Sequence, residues 1–277
     1  MDIAICGLGL IGGSSAKAIK AKTQHRVYGF DISSETLDAA SACGAIDERL
    51  TKETLSLCDI VIVALYPKAS VDFVKSHARH IKKGSALADF CGVKRSVAEP
   101  MSSTAEDNGF TYVGCHPMAG IEKSGFSFSN ADLFNGASMI MTPKEGDDES
   151  ANMLSELFLA MGFGAVKYST PFEHDKIVAY TSQLAHVLSS AYIKSEAALS
   201  FRGFSAGSFS DMTRVAYLNE EMWSELFLQN ADFLSEEIDG LCERLAMYSA
   251  AVKQGDKEAL SALLKEGKER KEFIEGN

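Results

Sequence analysis

An α/β half followed by an all-helical half is the fold class that this 277-residue sequence predicts. Three observations predict it. Short apolar runs, such as residues 3–6 and 60–63, alternate with helical stretches as far as about residue 168. Continuous apolar runs of this length are the strands of parallel sheets, buried on both faces. A glycine-rich turn, Gly7-Leu8-Gly9-Leu10-Ile11-Gly12-Gly13-Ser14, joins the first strand to the first helix. Beyond Ser169-Thr170-Pro171 only long helical periodicities are found, so the domains are placed at residues 1–170 and 171–277.

The first strand, residues 3–6, runs straight into that turn, and a helix over residues 11–21 follows. A second strand, residues 26–30, ends at Asp31, nineteen residues after Gly12. Strand, glycine turn, helix and strand-end acid together form the dinucleotide-binding fingerprint of a Rossmann-type domain. Gly7 permits the tight turn, Gly9 lets a pyrophosphate approach the backbone, and Gly12 allows the helix to pack closely on the strand. The helix N-terminus, at Leu10 and Ile11 beyond Leu8, holds the phosphates. Asp31 accepts hydrogen bonds from a ribose 2′-hydroxyl and repels a 2′-phosphate, and Ile32-Ser33-Ser34 offers no arginine. NAD is therefore expected rather than NADP.

A helix over residues 33–43 is expected, with Ser33 or Ser34 as its N-cap. The strand at 59–65 empties into Leu65-Tyr66-Pro67, a second loop on the ligand edge and a further cofactor contact. A helix at 71–81 and a strand at 84–90 come next, and Lys94 follows on the same edge. The run 111–115 reads as a strand that empties at once into a loop with Pro117, Gly120 and Gly125, presenting His116 at the strand's carboxyl end. That edge is where open α/β sheets bind their ligands. Strand 137–142, helix 149–161 and strand 165–168 complete the first half. The second half reads as helices over about 172–199, 212–217, 220–239, 241–253 and 257–274, with a Gly/Ser-rich break at 203–210.

Composition narrows the function classes. The 27 basic and 38 acidic residues give a net charge of −11, which argues against nucleic acid and anionic membrane surfaces as partners. Six scattered cysteines form no CxxC pair and read as free thiols in a reducing compartment. Cys115 and His116 are adjacent on a strand and point to opposite faces, so no metal site is expected there. With no basic leader before the first strand and no apolar run long enough to span a bilayer, a cytoplasmic protein is expected.

Two segments of the helical half carry chemistry. Ser182 and His186 lie four apart in Thr181-Ser182-Gln183-Leu184-Ala185-His186 and so share a helix face. In Phe209-Ser210-Asp211-Met212-Thr213-Arg214, Asp211 is expected as an N-cap, and Arg214, one turn on, can grip a carboxylate with its planar fork.

With the glycine-rich turn and Gly114-Cys115-His116-Pro117-Met118-Ala119-Gly120, these segments resemble the prephenate and arogenate dehydrogenases of tyrosine biosynthesis, in order and spacing over nearly the whole chain. The resemblance implies an NAD(P)-dependent oxidative decarboxylation of a cyclohexadienyl acid and a C-terminal helical domain that forms a homodimer. It implies that His116 is the catalytic base, that Arg214 binds the substrate carboxylate, and that His186 with Ser182 and Gln183 lines the substrate site. Glu122 would border that site, and Lys94 or Lys123 would assist Arg214. Gly92, Gln183, Ala185 and Ile121 stand where many members have Ser, His, Pro and Thr. The sequence shows neither the ACT domain nor the chorismate mutase domain that some relatives carry.

Two other readings share parts of this pattern. A 3-hydroxy acid dehydrogenase has the same two halves but works through a helical lysine, for which Lys176 and Lys194 are the nearby candidates. A non-catalytic NAD-binding sensor would need neither His116 nor Arg214.

Overall fold

The computed structural model describes all residues except Phe201, Ala206 and Asn277. Its strands and helices alternate at first: β1 (Asp2–Cys6), α1 (Leu10–Lys22), β2 (Arg26–Phe30), α2 (Ser34–Ala42), a two-residue β3 (Glu48–Arg49) and a one-turn α3 (Lys52–Leu55). Next come β4 (Ile60–Val63), α4 (Pro67–His77), β5 (Ala86–Asp89), α5 (Arg95–Asn108) and β6 (Thr111–Pro117). β7 (Ser138–Thr142), α6 (Asp148–Met161) and β8 (Ala165–Tyr168) close the series. Ser33 is the cap that starts α2, accepting a hydrogen bond from the Thr36 amide, and Pro67 opens α4 at a position where its missing N–H costs nothing.

The eight strands form one sheet in the order β3-β2-β1-β4-β5-β6-β7-β8. All neighbours are parallel except β6 and β7. The sheet's two faces follow from the period-2 alternation of strand side chains. Ile3, Ile5, Ile60, Ile62, Val113, Cys115, Met139 and Met141 face a core shared with Leu154, Phe158 and Met161 of α6. Ala4, Cys6, Val61, Val63, Leu87 and Tyr112 face the other, with Phe73 and Val74 of α4 and Val97 and Met101 of α5.

The helices that follow are α7 (Pro171–Val178), α8 (Ala185–Tyr192), α9 (Gly207–Thr213), α10 (Glu220–Gln229), α11 (Ala231–Gln254) and α12 (Lys257–Glu275). α7 and α8 are one continuous helix interrupted by a wide π-turn over Ala179–Leu184. Among the described residues the last strand ends at Tyr168, and the compact units are Met1–Asn230 and Ala231–Asn277. The later division has a physical cause, since α7 and α10 hydrogen-bond to the start of α5 and to α4. The second unit is a helical hairpin in which the Tyr248 hydroxyl donates to the Leu263 carbonyl (3.2 Å).

Three local readings are corrected. β6 does not stop before His116 but continues through Pro117, because His116 pairs with Ile140 of β7. Asp211 lies inside α9, which begins at Gly207, so it is not an N-cap. The break between the two long C-terminal helices falls at Asn230 and not at Gly240. The Asn230 amide is buried and donates to the Asp175 carbonyl (2.9 Å) and the Gln183 side chain (2.8 Å), which outweighs the mild helix preference lost at a tolerated glycine.

Candidate active site

The glycine-rich turn has the shape the motif requires. Gly7 sits at φ +90°, and a Cβ on Gly12 would come within 1.8 Å of the Gly7 carbonyl oxygen, so α1 packs directly on the turn. Around Gly9 the space is open, with nothing within 4 Å of where a Cβ would stand. Gly9 is also the residue before α1 and has no side chain to cap it, which leaves the first amides of the helix to an anion. These residues fit a dinucleotide pyrophosphate.

Asp31 does more than wait for a ribose. Its carboxylate accepts from the amides of Leu8 (2.8 Å) and Ser33 (2.9 Å), tying the glycine-rich turn to the end of β2. Each oxygen keeps a lone pair for a hydroxyl. Across the edge, Leu65, Tyr66 and Pro67 lead from β4 into α4, and Tyr66 is exposed. The segment after β6 packs against α1, because a Cβ on Gly13 would touch Phe126 at 2.7 Å, and Lys17 lies 4.5 Å over the Phe126 ring.

His116, half-buried near the end of β6, is held from behind. Its Nδ1 lies 2.9 Å from His174 Nε2, and His174 Nδ1 lies 2.7 Å from Asp175 Oδ1. Asp175 also accepts from the amides of Lys94 (2.7 Å) and Arg95 (2.9 Å) and from Arg95 Nε (3.2 Å). Burial would raise the Asp175 carboxyl, but the hydrogen bond from His174 and those from the Arg95 and Lys94 amides bring it below the usual carboxylate value. An ionised Asp175 requires a proton on His174 Nδ1, so neutral His174 presents bare Nε2. His116 must then donate from Nδ1, and its own Nε2 is left bare and basic. That nitrogen faces Gly92, where a Cβ would stand 3.9 Å from it and 3.3 Å from Leu226 of α10. Burial, then the neighbouring His174 and Lys94, push the His116 imidazole well below its ordinary value. His116 is therefore neutral at physiological pH.

A second cluster faces the same helix. Arg214, exposed just after α9, pairs through Nη1 with Glu122 (2.5 Å). His186 in α8 points Nδ1 at the Val215 carbonyl (3.2 Å) and packs on Trp223 of α10 with ring centroids 3.9 Å apart. Burial lowers the His186 imidazole, and Arg214 lowers it further. Ser182 is half-buried on the π-turn, a feature that recurs at functional sites. Trp223 and Leu226 of α10 thus bring the two clusters to one helix face.

The sequence matches the nucleotide-binding domain of prephenate dehydrogenase over residues 15–167 and its dimerisation domain over residues 170–266. The chain belongs to the prephenate dehydrogenase family. It is 30% identical to the prephenate dehydrogenase of Bacillus subtilis over 98% of this chain and 76% of that relative. It is likewise 30% identical to the cyclohexadienyl dehydrogenase of Zymomonas mobilis, over 95% of this chain and 92% of that one. Among solved structures, prephenate dehydrogenase from A. aeolicus in complex with hydroxyphenyl propionate and NAD+ superposes with a TM-score of 0.87. That pair is 26% identical and the match covers 99% of this chain and 98% of the other.

Within this family member, two residues expected to face substrate do not. Lys94 is fully buried, its ammonium paired with Asp89, which also accepts from the Tyr112 hydroxyl (2.8 Å). A buried ammonium is stable only with such a partner, so Lys94 acts on the site through its charge. Gln183 is buried too, donating to the Leu226 carbonyl (3.3 Å) and accepting from Asn230 (2.8 Å). Lys123 lies over the Phe128 ring (4.8 Å). Conversely, His174 and Asp175 escaped the sequence reading. The signal available was a His-Asp pair in the first turns of the helix that carries Ser182 and His186. Lys176 and Lys194, which a 3-hydroxy acid dehydrogenase would use, are both exposed.

Proposed function

We propose that this chain catalyses the NAD-dependent oxidative decarboxylation of a cyclohexadienyl acid, prephenate or arogenate. The observation that carries the reading is the bare Nε2 of His116, fixed by His174 and Asp175 on the ligand edge of a dinucleotide-binding sheet. The curated relatives, named prephenate and cyclohexadienyl dehydrogenase, support the substrate class. Asp31 and the A. aeolicus complex support NAD. The lack of a helix long and apolar enough to cross a membrane, among the described residues, is compatible with cytoplasmic work.

Bound NAD supplies a hydride acceptor for the hydrogen on ring C4. Arg214 exchanges Glu122 for a substrate carboxylate, which orients the ring. His116 Nε2 accepts the proton of the C4 hydroxyl as the C4–H bond breaks, so that C4 becomes carbonyl-like. The ring C1–carboxylate bond then breaks, CO2 leaves, and its electron pair makes the ring aromatic. The oxygen on C4, now phenolate-like, takes the proton back from His116. Proton balance therefore requires no exit path behind His116. The saturated carboxylate of Asp175 suits this, since it orients His174 and has little tendency to accept a proton.

A homodimer formed through the dimerisation domain is part of the proposal. In the second unit, Leu245, Met247, Val252, Leu264, Phe273 and Ile274 are all more than half exposed, an apolar surface typical of obligate interfaces. Purified protein incubated with NAD or NADP and with prephenate or arogenate tests the activity. Reduction of NAD with at least one of the two acids, and weaker reduction of NADP, is the expected result. No reduction with either acid overturns the reading.

A further inference from the structure

α10 meets the proposed site beside Gly92 and at His186, and one of its residues reaches the cofactor loop. The Glu225 Oε1 accepts from the Lys68 amide (2.8 Å) in the first turn of α4, next to Leu65-Tyr66-Pro67. Tyr66, the residue before α4, makes no side-chain cap, so Glu225 supplies from a distant helix the acceptor that this N-terminus lacks. The same oxygen accepts from Gln229 Nε2 (2.9 Å), and Gln229 Oε1 accepts from the Ser96 hydroxyl (2.6 Å). Two residues before Glu225 on α10, Trp223 packs on His186, and Leu226, the residue after Glu225, stands beside Gly92 and His116 Nε2. Asn230 closes the helix by accepting from Arg95 Nη2 (2.9 Å) and donating to the Asp175 carbonyl.

We infer that α10 couples the cofactor loop to the substrate site and that Glu225 is the positioning residue that makes the connection. Held by Glu225, the loop from β4 into α4 and the Trp223–His186 pair are two ends of one rigid segment. Settling of the cofactor against Leu65–Pro67 then favours the arrangement of Trp223 and Leu226 that accepts the substrate ring, and the reverse holds by linkage. The inference rests on the proposed function, since it takes these two loci as cofactor and substrate sites.

The test measures binding, not turnover. Trp223 is the sole tryptophan and lies on His186, so its fluorescence reports the substrate end directly. The dissociation constant of NAD is measured by calorimetry with and without saturating hydroxyphenyl propionate, and that of hydroxyphenyl propionate by Trp223 fluorescence with and without NAD. In the unmodified protein each ligand should tighten the other by the same factor, roughly fivefold or more. Glu225→Ala should bring that factor close to one while both ligands still bind, and Glu225→Gln, which keeps the acceptor oxygen, should retain it. If Glu225→Ala does not fold, Glu225→Asp withdraws the carboxylate by one methylene and should show the same loss. Independent binding in the unmodified protein, or an undiminished factor in Glu225→Ala or Glu225→Asp, overturns the coupling alone. Failure of both ligands to bind the unmodified protein overturns the proposed function and the coupling with it.

Discussion

Which nitrogen of His116 can act as a base is decided by residues that never meet the substrate. Four donors converge on Asp175, from His174, the Lys94 and Arg95 amides and the Arg95 side chain. The charge they hold there sets the tautomer of His174 and then of His116. Burial keeps His116 neutral well below its ordinary titration range. The acidic limb of the activity profile should consequently lie below pH ~6.5, where an unperturbed imidazole titrates. His116→Asn should remove that limb and lower kcat by about a hundredfold or more with little change in KM. Arg214→Ala should chiefly raise KM, by roughly tenfold or more, because a charge-assisted contact present in the bound substrate is lost. Steady-state kinetics from about pH 5 to 9 separate the two roles. A His116→Asn enzyme with near-normal kcat would place the base elsewhere, with His186 the first residue to examine.

The glycine-rich turn and α1 show how a single element divides fold from function. Gly12 faces the Gly7 carbonyl so closely that a Cβ would stand 1.8 Å from its oxygen, whereas the space at Gly9 is open. A backbone atom cannot yield as a flexible side chain can, so Gly12→Ala should cost about 2–3 kcal/mol or more. Gly9→Ala meets no such contact in the protein but intrudes where the pyrophosphate must lie. Thermal melts should show a large loss for Gly12→Ala and little change for Gly9→Ala. NAD binding should weaken at least tenfold in Gly9→Ala despite its normal fold. Equal melting temperatures in the two variants, or normal NAD affinity in Gly9→Ala, would contradict this division.

Across the whole molecule, three histidines withdrawn wholly or partly from water and Asp175 link stability to pH in the same direction. His116, His174 and His186 are all lowered, so the folded state keeps them neutral where an unfolded imidazole, near pKa 6.5, already binds a proton. The unfolded state therefore binds more protons as pH falls through about 6.5, and stability declines. Asp175 is lowered from 3.8, so its contribution is present above that value and is lost as pH falls through its folded value. Relief of self-repulsion in a chain of net charge −11 opposes this trend, but salt near 0.15 M screens it to about 8 Å. In such salt the melting temperature should fall from pH 7.5 to pH 5. A flat or rising profile would mean that the histidines do not stay neutral in the fold.

Local chemistry alone carried the alternation of strands and helices, the glycine fingerprint with Asp31, and the placement of His116 on the ligand edge. Each depends on neighbours a few residues apart, through side-chain periodicity or the backbone freedom of glycine. The family's recurring segments pointed to Arg214 and His186 in the same way. What lies behind His116 has no local signature, because His174 is 58 residues away and meets it only when α7 packs beside β6. The same holds for the other departures. Lys94 and Gln183 have side chains that ordinarily seek water, and each turned inward because a buried partner, Asp89 or Asn230, satisfies it there. Asn230 and not Gly240 ends α10, since a buried amide with three partners from α5, α7 and the π-turn holds its position more firmly than helix propensity does. Propensities of up to about 1 kcal/mol, the figure for a glycine inside a helix, act along the chain, whereas unsatisfied buried polar groups cost about 1–3 kcal/mol and are settled only by contacts between distant segments.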